Sequence, residues 1–171
     1  MKAKTKRMFS GDSQYHKFDI ATGQLETAIR LFLTDGCDMF SAITLAAAAG
    51  EILHRLVLKH GKRPFIDFVV RVNEFRNPGP TPKRSFVISY IHDLLSINRL
   101  KHFDEKEDEM VQFDAEECAT AAILKAMVDY KTLTGHHTAA MQAFLGWCYH
   151  NLDAPKIMEN FEKLPEDAKK L

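Results

Sequence analysis

The sequence predicts an all-α fold, an antiparallel helical bundle with additional C-terminal helices. Apolar residues recur at intervals of three and four along most of the chain, which is the period of an amphipathic helix. Caps, glycines and prolines separate these segments, and no stretch shows the alternation that two paired strands require. With 171 residues, 46% of them apolar, the chain has the size and composition of one domain with one core.

The first predicted helix follows Asp19, which is placed to cap it, and ends before Gly36. Glycine suits the left-handed position that follows many helices. The apolar residues of this segment share one face, and they are Leu25, Ala28, Ile29, Phe32 and Leu33. This stripe predicts that one side of the helix packs against the core.

The second predicted helix begins at Asp38 or Ser41 and ends at Gly61. Alanines 46–49 leave room for a neighbouring helix to approach closely, which predicts that this helix lies at the centre of the bundle. Because the connection 34–38 is short, we expect the first two helices to form an antiparallel hairpin.

The middle of the chain predicts two further helices separated by a proline-rich loop. Pro64 suits the first position of a short third helix over 65–75. The segment 77–82 contains three prolines, and proline cannot continue a helix. A fourth helix is predicted over 84–102, where the apolar period resumes.

The last third of the chain begins with an acidic segment, 104–109, which is expected to be a solvated loop. The capping box 114–117 predicts the start of a fifth helix that ends near Gly135. A sixth helix is predicted over 138–151, and a short last helix follows Asp153. These segments supply the additional C-terminal helices of the predicted bundle.

Both ends of the chain are expected to lie outside the folded domain. Residues 1–12 are predicted to be a disordered basic tail, 13–164 a single helical domain, and 165–171 a frayed tail. The basic start leads into no apolar segment, which predicts that there is no secretory signal. The uncharged apolar stretch 39–50 is too short to cross a bilayer. We therefore expect a cytoplasmic protein that does not bind membranes.

The net charge of zero hides an asymmetry along the chain. Residues 1–102 carry 16 basic and 9 acidic side chains, a balance of +7, whereas residues 103–171 carry 7 and 14, a balance of −7. One interpretation is an anionic partner on the basic face, and the other is that the two halves pack together and cancel. A neutral chain also repels its own copies weakly, which allows self-association.

The familiar metal, phosphate and nucleophile motifs are incomplete or absent from the sequence. Glu51 and His54 have the Glu-x-x-His spacing of di-iron bundles, but no other histidine has an acidic residue three positions before it. No His-x3-His pair, phosphate-binding glycine loop or nucleophile elbow occurs. Cys37, Cys118 and Cys148 are widely spaced and are expected to act as small buried hydrophobic residues. We therefore predict no metal and no cofactor.

Polar residues cluster around Asn98 and His102, at the end of the predicted fourth helix. The two are four positions apart, so the amide and the imidazole would lie on one helix face, with Arg99 and Lys101 beside them and Asp104 next. His102, Asn98 and Arg99 are the candidate catalytic residues, and Lys101 and Asp104 are candidate ligand-binding residues. The alternative is structural, because side chains at a helix end can bond its last carbonyl groups.

Glu51 is the third candidate ligand-binding residue, a carboxylate within an apolar, alanine-rich helix. A carboxylate in such surroundings needs a partner. In an antiparallel bundle that partner is His102 or Arg99, which would place Glu51 in a shared site. The alternative is pairing along its own helix with Arg55 at i+4.

Residues 25–103 resemble the HEPN superfamily of helical nucleotide-binding bundles, and also an uncharacterised bacterial family with the same landmarks. The resemblance rests on segments 25–32 (LETAIRLF) and 41–53 (SAITLAAAAGEIL), the turn at Gly36 and the turn from Asn98 to His102. It implies a helical bundle that forms a homodimer. In active members of that superfamily, an arginine, an adjacent polar residue and a histidine four to six residues after the arginine cut RNA across the dimer.

The sequence departs from that RNA-cleaving motif at the arginine. Counted back from His102, the arginine would fall within 95–97, which reads Leu-Ser-Ile, and Arg99 follows Asn98 instead of preceding it. We therefore predict a dimeric HEPN-like module, not an enzyme, that binds a protein partner or an anionic, nucleotide-like ligand. The alternative is a metal-independent ribonuclease, a toxin or phage-defence component whose partner is RNA.

Overall fold

The computed structural model describes residues 12–34, 38–77, 79–101 and 109–169. Within these ranges the regular structure is helical and contains no strand, which confirms the predicted all-α bundle. The helices are α1 (Lys17–Leu33), α2 (Met39–Lys59), α3 (Phe65–Arg76), α4 (Arg84–Leu94), α5 (Ile97–Lys101), α6 (Ala115–Thr134), α7 (Ala139–Asn151), α8 (Ala154–Glu162) and α9 (Glu166–Lys169).

Helix α2 is the central element, as its alanine run predicts. It packs along both α1 and α6, and its Ala42, Ala46 and Ala49 are fully or almost fully buried. Helix α7 joins this core through rings, with Phe32 of α1 edge-on to Phe144 and Trp147 at centroid distances of 5.1 and 4.6 Å. The core therefore lies between α1, α2, α6 and α7.

The helix caps follow the predicted chemistry, with two differences. Asp38 accepts a hydrogen bond from the Ser41 N–H at 3.0 Å and begins α2. Helix α1 is capped by His16 and not by Asp19, which lies in its first turn, where a carboxylate favours the helix dipole. Pro64 precedes the first residue of α3 and does not occupy it, since its backbone is extended.

The predicted fourth helix is not continuous, which corrects the expectation for 84–102. Helix α4 ends at Leu94, and Ser96 has a φ of 55°, in the left-handed region that a helix cannot contain. The break lets Leu95 and Ile97 both reach the core, at 6% and 2% exposure. The chain then resumes as the five-residue α5.

Helix α2 is also long and apolar enough to cross a membrane, judged by length and composition alone. This is weak evidence for a membrane span, because the core helix of a soluble protein meets the same criteria. In this structure α2 is the helix on which α1 and α6 pack.

The variant Ala47→Phe tests the close packing of α2. Ala47 is 5% exposed, so a ring there must displace neighbouring side chains, and we expect a loss of about 1–3 kcal/mol in the free energy of unfolding. Ala48 is only half-buried and is the matched control. Urea denaturation should show a smaller loss for Ala48→Phe, and equal losses would contradict tight packing at Ala47.

Candidate functional site

The structure describes only part of the predicted Asn98–His102 cluster. Asn98 lies on α5, and its side-chain Nδ2 donates to Asp93 Oδ1 at 2.9 Å. Arg99 is exposed to solvent. Lys101 is the last residue of α5, but its side chain, His102 and Asp104 lie outside the described residues. Asn98 is therefore bonded locally, and the shared helix face of Asn98 and His102 stays a prediction.

Glu51 lies on α2 with an exposed side chain, and Lys125 of α6 is a cation near it. The charge of Glu51 counteracts the desolvation that lowers the pKa of Lys125. The sequence-based alternatives, pairing with His102 or Arg99 and pairing with Arg55, stay predictions. Lys125 is a neighbour that neither alternative included.

The principal feature that the sequence analysis missed is a buried polar pair on α6. Lys125 is 8% exposed and Asp129, one turn later, is 0% exposed. Asp129 Oδ1 accepts a hydrogen bond at 2.7 Å from the backbone N–H of Phe65, the first residue of α3. Asp129 Oδ2 is buried without a hydrogen-bond partner. One side chain of α6 thus fixes the start of α3 and retains an unused acceptor.

Burial changes the ionisation of both members of this pair. Desolvation raises the pKa of Asp129 to about 6, against the opposing effects of the Phe65 N–H bond and the charge of Lys125. Desolvation also lowers the pKa of Lys125. A Cβ added at Gly50 of α2 would lie 3.3 Å from Lys125 Nζ, so the glycine gives the lysine room to lie over α2. Burial therefore favours the neutral form of each group.

His54 of α2 is a partly buried titratable residue that senses charges on several helices. Its Nδ1 is buried without a hydrogen-bond partner. Desolvation lowers its pKa, and the charges of Lys125 and Arg84 act in the same direction, while that of Asp67 opposes them. The ionisation of His54 therefore responds both to Lys125 and to the ion pair of Arg84 with Asp67.

That ion pair lies in a surface cavity of about 550 Å³, which we call the arginine cavity. Its lining consists of Arg63, Asp67, Val70, Arg71, Thr81, Pro82 and Arg84. Arg84 of α4 contacts Asp67 Oδ1 at 2.5 Å, and Arg71 Nε donates to the backbone carbonyl of Asp67 at 3.2 Å. Three arginines and one carboxylate therefore line a cavity at the start of α3.

The proline-rich segment forms one wall of the arginine cavity. Thr81 and Pro82 line it, and the Thr81 hydroxyl donates to Glu74 Oε1 at 2.5 Å. This bond connects the described part of the proline-rich segment, residues 79–83, to Glu74 of α3. The loop predicted from its three prolines therefore bounds a candidate binding site.

The described residues contain no group of three or more His, Cys, Asp and Glu side chains arranged to hold a metal ion. Desolvation raises the pKa of Cys118, and it raises that of Cys148 to about 11. Both thiols therefore stay protonated near neutral pH and are poor nucleophiles. Cys37 lies outside the described residues.

Comparisons with protein-family models, curated proteins and solved structures found no match for this chain. The resemblance to the HEPN superfamily consequently stays a prediction.

The variant Asp129→Asn tests the buried carboxyl through the pH dependence of stability. Because folding raises its pKa from 3.8 to about 6, its stabilising contribution is present below the unfolded value and is lost as the pH rises through about 6. A shift of that size corresponds to about 3 kcal/mol. Asparagine keeps an acceptor for the Phe65 N–H but does not titrate.

We therefore expect Asp129→Asn to gain stability relative to the wild type as the pH rises from about 4 to about 7. Urea denaturation at a series of pH values measures this difference. Asp129→Ala, which also removes the acceptor, should be less stable than Asp129→Asn throughout that range. Parallel pH profiles for the wild type and Asp129→Asn would show that the carboxyl is not perturbed.

Proposed function

We propose that this chain is a non-catalytic helical module that binds an anionic, nucleotide-like ligand in the arginine cavity. The observation that carries the proposal is the set of three guanidinium groups, from Arg63, Arg71 and Arg84, around a cavity with one carboxylate. Arginine is the side chain best suited to phosphate groups, because its planar fork bonds two oxygens at once.

The arrangement of these charges supports binding of a phosphate group. Asp67 is only 22% exposed and occupies Arg84, so an incoming phosphate would compete with an internal carboxylate for the same donor. Arg63 precedes α3 and forms no ion pair within the described part of the chain. The lining as a whole carries a balance of two positive charges, which attracts an anion with more than one negative charge.

The position of the cavity depends on the interior of the protein. Asp67 and Arg71 belong to α3, whose first N–H group is held by the buried Asp129. Arg84 is the first residue of α4. The cavity is thus formed where two helices begin, and the partial positive charge of a helix N-terminus adds to the attraction for anions.

The variant Arg84→Ala tests the proposal directly. We expect it to raise the dissociation constant for inorganic pyrophosphate and for ATP about tenfold, because one charge-assisted hydrogen-bonding group is lost. Isothermal titration calorimetry measures both constants. Arg76→Ala is the matched control, since Arg76 ends α3, is exposed and does not line the cavity.

The variant Asp67→Asn should have the opposite effect on the same ligands. It removes the carboxylate that competes for Arg84, so we expect tighter binding of pyrophosphate together with a small loss of stability from the broken, partly exposed ion pair. Absence of binding, or equal affinities for Arg84→Ala and Arg76→Ala, would contradict the proposal. Cleavage of RNA by the wild-type protein would favour the ribonuclease alternative.

We also propose that the chain forms a homodimer through α4. Phe86, Tyr90 and Leu94 are spaced by four residues on this helix and are 66%, 59% and 62% exposed. Such a continuous apolar stripe on a helix surface is typical of an interaction face. The overall charge of zero supports contact between two copies.

The variant Tyr90→Glu tests this dimer. Two copies of the stripe would bring the introduced carboxylates close together in an apolar contact, so we expect the dimer to dissociate. Sedimentation equilibrium measures the mass, and Tyr149→Glu, at a residue of α7 that is 71% exposed, is the control. A monomeric wild-type protein would contradict the proposal.

A further inference from the structure

A second pair of cavities lies along α6, in a groove between α6, α7 and α8. It consists of two adjoining cavities of about 690 and 560 Å³, which share Leu124 and Leu145. We call the whole the α6–α8 groove. Its first cavity lies between the connection 61–63, the second half of α6 and Leu145 of α7.

The first cavity is cationic at its rim. Lys62, Arg63 and Lys131 line it, and no acidic residue is among its described lining residues. Lys62 Nζ donates to the carbonyls of Thr132 and Leu133 at 2.6 and 3.3 Å, so its charge is fixed at the end of α6. Lys131 is exposed on the last turn of α6 and is available to a ligand.

The second cavity is almost entirely apolar. Its lining, beyond the two shared leucines, is Cys148, Tyr149, Leu152, Ala154, Pro155, Ile157 and Met158. Tyr149, Ile157 and Met158 are 71%, 53% and 53% exposed. Covering these side chains with an apolar ligand would remove hydrophobic surface from water, which is favourable. The groove thus changes from cationic to apolar along its length.

We propose that the α6–α8 groove binds a free monoacyl carboxylate, with the carboxylate at Lys131 and Lys62 and the acyl chain along Leu145 toward Met158. Charge complementarity selects the anionic head, and the apolar second cavity selects the chain. A bare phosphate would leave the apolar cavity exposed, and a neutral lipid would leave the cationic rim without a partner. This binding is separate from that proposed for the arginine cavity, although Arg63 lines both.

The first test compares ligands on the wild-type protein by calorimetry below their micelle concentrations. We expect one molecule of dodecanoate to bind per chain, with an affinity that rises about three- to fourfold for each methylene added from octanoate onward. Dodecanol supplies the chain without the charge, and acetate supplies the charge without the chain. Both should bind much more weakly than dodecanoate.

The second test uses variants at the two ends of the groove. Lys131→Glu should raise the dissociation constant for dodecanoate about tenfold or more, and Lys131→Ala about fivefold, through loss of the ion pair. Leu145→Glu should also weaken binding, because it places a carboxylate where the two cavities meet. Leu58→Glu is the matched control, since Leu58 is 40% exposed, close to the 37% of Leu145, and lines neither cavity.

Circular dichroism of each variant shows whether a loss of binding reflects loss of the fold. If Leu145→Glu or Lys131→Glu does not fold, Lys131→Ala, at an exposed site, provides the deciding measurement. Arg84→Ala should leave dodecanoate binding unchanged, so loss of pyrophosphate binding alone would overturn only the function proposed for the arginine cavity. Affinity independent of chain length, dodecanol binding as tight as dodecanoate, or binding only to anionic vesicles would overturn this proposal.

Discussion

The hydrogen bond from the Phe65 N–H to the Asp129 carboxylate is the interaction on which the candidate site depends. It is a contact between residues 64 positions apart, at 2.7 Å, and its acceptor is fully buried. Because this bond holds the first N–H of α3, it fixes the position of the start of α3 relative to α6. Asp67 and Arg71, in the first and second turns of α3, take their positions in the arginine cavity from this anchor. A functional surface is thus positioned by a polar group in the core.

A buried carboxylate is unfavourable unless its surroundings compensate for lost hydration. Here one oxygen is bonded and the other is not, and the compensation is shared with Lys125, whose own charge is also desolvated. Gly50 allows this lysine to lie against α2, where any larger residue would press on Nζ. The pair specifies how α2, α3 and α6 meet, at the expense of stability that an apolar pair of similar volume could supply.

The sequence was sufficient for the bundle and for its central helix, because both depend on apolar period and on alanine spacing. It did not predict the break at Ser96. The apolar period continues from α4 into α5, so nothing in the pattern marks the left-handed residue between them. Asp129 lies on the same face of its helix as Ala122 and Ala126, which are apolar. A carboxylate on an apolar face was the sequence signal that could have predicted the buried pair. The arginine cavity joins residues from a connection, two helices and a proline-rich loop, and no local pattern brings these together.

The described structure also bears on the charge asymmetry between residues 1–102 and 103–171. Each ion pair between described residues joins partners from the same half, as Arg84 with Asp67 in the first and Lys163 with Glu159 in the second. Lys62, a cation of the first half, contacts the second half, but there it donates to the backbone carbonyls of Thr132 and Leu133 and not to carboxylates. Direct pairing between described residues therefore does not neutralise the excess of positive charge in the first half. The arginine cavity draws all of its cations from that half, so the anionic ligand proposed for the cavity would meet part of this excess charge.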